Sequence, residues 1–127
     1  MPTVLLIDDD RDVRQSVIAM LRSAGIDVIE GGLGADALTD VRERSYDLLL
    51  TDVVMPGVDG LVVIDAARER APGMPIIAMS GGSGFMIAEV GLRWSRSAGA
   101  SRTLTKPFRK EALLAAIAEL LPPANAV

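Results

Sequence analysis

The 127-residue chain contains no cysteine and no histidine. The first absence removes disulfide frameworks and thiolate chemistry, and it fits a reducing compartment. The second removes imidazole catalysis and, with cysteine also missing, the usual zinc sites. Aromatic residues are scarce, with one Trp, one Tyr and two Phe, although half of the chain is hydrophobic. The core must therefore be aliphatic. No apolar run approaches the roughly 20 residues that a membrane-spanning helix needs. The first residues enter an apolar strand-like run with no basic leader, so no signal peptide is expected. Excess positive charge is missing too: 13 Lys and Arg face 17 Asp and Glu, a formal net charge of -4. That balance argues against a backbone-driven nucleic-acid binder. The expectation is a cytoplasmic protein of one domain, with neither nucleic acid nor membrane as partner.

What is present is an alternation of strand-like and helix-like stretches, which points to an α/β fold around a parallel sheet. Strands are expected near 3–8, 26–30, 47–52, 75–80 and 101–105. Their unbroken apolar runs, such as Val4 to Ile7 and Leu48 to Leu50, suit strands covered by helices on both faces. Val13, Val17, Met20, Leu21 and Ala24 form one helical stripe, closed at Gly25. A second helix carries Ala37, Leu38 and Val41. The third carries Leu61, Ile64 and Ala67 and stops before Pro72. A fourth, over roughly 84–97, holds Phe85, Met86, Val90 and Trp94; a fifth runs from about Arg109 to Leu121 and ends at Pro122 and Pro123. This division predicts one domain over 1–122, a frayed tail over 123–127 and no output domain.

The chemistry gathers at the strand ends. Asp8 and Asp9 follow the first strand, Asp52 ends the third, Ser80 the fourth, and Lys106 follows the fifth. In an open parallel sheet the carboxyl ends of the strands share one edge, where ligand crevices form. Asp10 is read as a helix cap and Asp12 as a favourable charge in the first turn. Asp8 and Asp9 are not explained that way. Crowded carboxylates repel, and a cation or a lysine relieves them. Magnesium, with its oxygen ligands, is the natural candidate. An EF-hand loop does not fit, because its glycine and its final glutamate are missing. A carboxylate held near such an ion is also a nucleophile for phosphorus. Two glycine-rich stretches, Gly32 to Ala37 and Ser80 to Gly84, are read as a turn into the second helix and as a mobile loop.

The segments LLIDDD, LLLTDVVMPGVDG, IIAMSGG and AGASRTLTKPF resemble, in order, the four signatures of the receiver domain of bacterial two-component response regulators. The resemblance covers essentially the whole chain. It implies a flavodoxin-like, doubly wound five-stranded parallel sheet in the order 2-1-3-4-5, with five helices. It also implies a phosphorylatable switch rather than an enzyme, taking a phosphoryl group from a histidine kinase or a histidine phosphotransfer protein. Asp52 matches the phosphoacceptor. Asp8 and Asp9, with Asp52 and the backbone carbonyl of Val54, match the ligands of Mg2+. Ser80 matches the switch hydroxyl, Lys106 the phosphate-contacting lysine, and Pro107 a cis-proline.

Thr103 departs from the pattern, standing where the family usually has an aromatic switch residue. The stretch from Ser80 to Ala98 is also longer than usual, and its Phe85, Met86 and Trp94 are read as core contacts of a longer fourth helix, the alternative being that one of them replaces the missing ring. Val54 and Gly82 cannot orient water through a side chain, so a long-lived phosphoryl group is expected. Arg11, Arg14 and Ile18, off the apolar stripe of the first helix, are the expected docking contacts for the kinase. The downstream protein is unknown, and a monomer or weak homodimer is expected. The rival reading is a receiver-like interaction module that works without phosphorylation. A metal phosphohydrolase is disfavoured, since Val54 stands where a second acid would be needed.

Overall fold

The computed structural model describes residues 2–53, 60–80 and 99–121. Five strands, β1 (Thr3–Ile7), β2 (Asp27–Glu30), β3 (Leu48–Asp52), β4 (Ile76–Ser80) and β5 (Arg102–Thr105), form one sheet in the order β2-β1-β3-β4-β5. All four pairings are parallel. The described helices are α1 (Arg11–Ser23), α2 (Ala35–Glu43), α3 (Gly60–Arg70) and α4 (Lys110–Leu120). The last of these is the fifth helix of the sequence reading. The helix expected over 84–97, with Phe85, Met86 and Trp94, lies outside the described residues, as do Val54, Gly82 and the tail.

The sheet divides the core by the two-residue period of its strands. Val4, Leu6, Leu48, Leu50, Ile77 and Met79 pack with Val17 and Leu21 of α1 and Leu113 and Ile117 of α4. Leu5, Ile7, Leu49, Ile76 and Ala78 pack with Ala37 and Val41 of α2 and Val63, Ile64 and Ala67 of α3. The three central strands are buried on both faces, which is why they read as unbroken apolar runs. The edge strands β2 and β5 show exposed ends instead. No helix among the described residues is long and apolar enough to cross a membrane.

Helix α1, which borders the site, is held at both ends by local chemistry. Asp10 caps it, its carboxylate accepting from the backbone N–H of Asp12 at 2.9 Å and of Val13 at 3.2 Å. At the other end Gly25 takes a φ of +77°. Gly25 N–H donates to the Arg22 carbonyl at 3.0 Å, and Ile26 N–H donates to that of Leu21 at 3.0 Å. This is a Schellman closure, with Ile26 and Leu21 meeting in the core. A methyl at Gly25 would meet nothing within 4 Å, so only the backbone conformation opposes it. Gly25→Ala should therefore lower unfolding stability by about 1 kcal/mol without changing the site, as denaturant titration will show.

One expectation fails here. Ile18 was assigned to an exposed docking face, but it is 5% exposed and belongs to the same core cluster as Leu113, Ala116 and Ile117 of α4. A helix packed on both a sheet and a neighbouring helix buries a stripe wider than one row of residues, and Ile18 falls within it. Ala24, counted in the stripe, is exposed instead.

Candidate functional site

Strand parity and register bring the acids together. Asp8 continues the series Val4, Leu6, and Asp52 the series Leu48, Leu50, so both leave the sheet toward the α1 face. Leu6 pairs with Leu50 and Ile7 with Thr51, and one further step in that register sets Asp8 beside Asp52. The carboxylates of Asp8, Asp9 and Asp52 each offer an oxygen within 4.8 Å of the others. Asp8 is fully buried and Asp52 is 6% exposed, whereas Asp9 is partly open to solvent.

Lys106 joins the cluster from the far side of the sheet. Its backbone N–H donates to the Ser80 carbonyl at 2.8 Å, just past the end of β5. Its ammonium donates to Asp8 Oδ2 at 2.8 Å and to Asp52 Oδ2 at 3.1 Å. Burial works against that charge, but the hydrogen bonds and charges of Asp8 and Asp52 outweigh it and hold the amine above the ordinary lysine value of 10.5. The Lys106–Pro107 bond is cis.

Local hydrogen bonds hold the Asp8 side chain and the Asp52 backbone. Asp8 Oδ1 accepts from Asp10 N–H at 2.9 Å. The Asp52 carbonyl accepts from the Thr51 hydroxyl at 3.0 Å, and Val53 N–H donates to the Met79 carbonyl at 2.9 Å. Ser80 Oγ is buried and has no hydrogen-bond partner among the described residues. A buried hydroxyl without a partner is costly, and this one stands at the carboxyl end of β4, where it can donate to an oxygen-rich group. The donor set, three carboxylates with room beside them, fits a hard divalent cation. A crevice of about 580 Å³ opens there, lined by Asp9, Asp52 and Lys106, by Val13 and Met20 of α1, and by Phe108.

Sequence reasoning missed two contributors. Gly60 starts α3 directly against the candidate acceptor: its N–H donates to the Val53 carbonyl at 3.0 Å. A methyl there would collide with the Asp52 carbonyl and lie 2.5 Å from Val53 Cα. Those are backbone atoms and cannot turn aside. Gly60→Ala should cost about 3 kcal/mol of unfolding stability, the upper end for overpacking, and displace Asp52. A variant unfolding at the wild-type denaturant midpoint would contradict this packing.

The second contributor is Arg14. It is no free docking residue, since its guanidinium donates to the Asp8 carbonyl at 2.9 Å and lies 3.4 Å from Glu30. Arg11 is exposed, and Thr103 is half-buried beside Ala78.

Residues 4–118 match the family model described as the response regulator receiver domain. The transcriptional regulatory protein PrrA of Mycobacterium bovis is 36% identical over 94% of this chain and 50% of its own length. The DNA-binding response regulator MtrA of Mycolicibacterium paratuberculosis is 32% identical over 90% of this chain and 48% of its own. The chain thus spans about half the length of these curated relatives, and the expectation against nucleic acid applies to its 127 residues only. Among solved structures, a putative response regulator from Chloroflexus aurantiacus superposes with a TM-score of 0.81 at 28% identity, covering 96% of this chain and 98% of that one. The receiver domain of sensor histidine kinase PA1611 from Pseudomonas aeruginosa, with magnesium coordinated in its active-site cleft, gives 0.80 at 27% identity over 94% and 96%.

Proposed function

The chain belongs to the response regulator receiver family, the phosphorylatable switches of two-component systems, and from that premise we propose that Asp52 is the residue that takes the phosphoryl group. The observation that carries this reading is the meeting of Asp8, Asp9 and Asp52 with the Lys106 ammonium at the carboxyl edge of the sheet.

The donor is a phosphohistidine on a kinase or phosphotransfer protein. An Asp52 oxygen attacks phosphorus in line with the imidazole nitrogen; the P–O bond forms as the P–N bond breaks, and the imidazole leaves with the bonding pair. Little covalent work is left to the protein beyond positioning and charge neutralisation. Lys106 lies within 3.1 Å of the acceptor carboxylate and meets the negative charge brought to it. The Ser80 hydroxyl donates to a phosphoryl oxygen and so gains the partner it lacks. Asp9 and Asp52, with the Val54 carbonyl, would hold magnesium directly, and Asp8 through water. Both Asp8 oxygens already accept hydrogen bonds, which supports its indirect role. When bound, the ion neutralises charge on the phosphoryl oxygens.

With Ile18 buried and Arg14 engaged, the docking face moves to the crevice itself. Val13, Met20 and Phe108 give it an apolar strip, rimmed by Asp9, Asp10 and Asp12. The protein then works in the cytoplasm as a stoichiometric switch that changes its surface for a downstream protein. A histidine-phosphorylated phosphotransfer protein should pass its phosphoryl group to this chain when magnesium is present and not when it is chelated. Failure of transfer from every such donor, and from small-molecule donors, would leave the phosphorylation-independent interaction module as the better reading.

A further inference from the structure

We propose that Arg14 is a positioning residue for the cation site, that Glu30 holds it in place, and that it acts through the Asp8 carbonyl; this rests on the magnesium reading above. Arg14 sits one turn into α1 with its side chain 21% exposed, and its guanidinium reaches back across the ends of two strands. One nitrogen donates to the Asp8 carbonyl at 2.9 Å; Nε lies 3.4 Å from Glu30 Oε1. Glu30 is the last residue of β2, in register with Leu6, and Gly31 N–H donates to the Leu6 carbonyl at 2.8 Å. The ion pair therefore bridges α1 to the ends of both β1 and β2.

What it fixes is the Asp8–Asp9 peptide plane. β1 ends at Ile7, so the strand ladder does not reach this plane. The Asp8 side chain has its own anchors in Asp10 N–H and Lys106. The Asp9 carboxylate has none: among the described residues no hydrogen bond or ion pair holds it, yet it lies with Asp8 and Asp52 in the cluster. Its position depends on the backbone that carries it. A rotated Asp8–Asp9 plane would swing that carboxylate away from its neighbours.

Electrostatics alone predicts the opposite sign. A guanidinium close to a divalent cation repels it, and removing the charge would tighten binding. Glu30 offsets that charge as well as orienting the group. The direction of the change therefore separates positioning from plain charge.

The test is a calorimetric magnesium titration of the full chain as wild type, Arg14→Gln, Arg14→Lys and Glu30→Gln, with thermal unfolding of each in chelator. Arg14→Gln should weaken binding roughly 10-fold, as loss of partners behind metal ligands does. Arg14→Lys, which keeps one donor, should recover part of the loss. Glu30→Gln should weaken binding by less, a direction plain charge also gives, so Arg14→Lys, for which plain charge predicts no change, remains the informative variant should Arg14→Gln fail to fold. Melting temperatures in chelator should not track these affinities. Unchanged or tighter binding in Arg14→Gln or Glu30→Gln would overturn the proposal, as would losses that merely follow stability. Wild type that binds no magnesium would overturn the magnesium reading, and this one with it.

Discussion

Asp52→Asn should take up no phosphoryl group from any donor, while its magnesium-free fold is at least as stable as that of the wild type. The first half follows from chemistry: the amide is not a nucleophile for phosphorus at neutral pH, and no other carboxylate is equivalent. Asp8 is fully buried with both oxygens engaged, and Asp9 stands outside the Lys106 contacts. The second half follows from crowding. Three carboxylates crowd together and the Lys106 ammonium meets two of them, so an isosteric amide removes repulsion and still accepts a hydrogen bond from Lys106. Sites that trade stability for activity behave this way. Label transfer and urea unfolding measure the two halves separately. A destabilised Asp52→Asn would mean that the carboxylate holds the fold rather than the chemistry.

Lys106→Met is expected to move stability the other way. Its side chain is 15% exposed and contacts two carboxylates that are 0% and 8% exposed, so its removal takes the ammonium away from two buried charges. Breaking such a contact costs about 3 kcal/mol or more. Magnesium should recover much of that loss, and to a larger degree than it stabilises the wild type, because it replaces the missing positive charge. Phosphoryl uptake should fall roughly 10²–10³-fold, the usual effect of removing one preorganised charge donor.

The pH dependence has a definite sign. The folded lysine titrates above its ordinary 10.5, so its contribution is complete below that value and is lost as pH rises through the higher folded one. Tyr46, raised by burial against the opposing effect of Arg70, loses stability in the same alkaline direction above its ordinary 10.0. Subtracting the Lys106→Met profile from that of the wild type isolates the lysine. A difference that does not fall as pH rises past the ordinary lysine value of 10.5 would deny the contact.

Much of the site was legible in the sequence because parallel strands end at one edge. VLLI, LLLT and IIAM announce buried central strands, and whatever follows each must lie near the others. That brings the ends of β1, β3 and β4, with Asp8, Asp52 and Ser80, to one edge, and the edge strand RTLT adds Lys106. What could not be read was the environment of α1. Ile18 looks exposed on a narrow stripe, yet it is buried in the core cluster that α1 shares with the sheet and α4. Arg14 looks free because its partners, the Asp8 carbonyl and Glu30, are a backbone atom and a residue on another strand. Gly60 looks like one more turn glycine until the approach of α3 to the Asp52 carbonyl is known.

Phosphorylation of the wild-type chain by a small-molecule phosphodonor with magnesium, followed by intact mass and peptide mapping, tests the central claim most directly. The account predicts a mass gain of one phosphoryl group, carried by the peptide containing Asp52 and absent when magnesium is chelated. No gain, or a gain carried by any other residue, would contradict it.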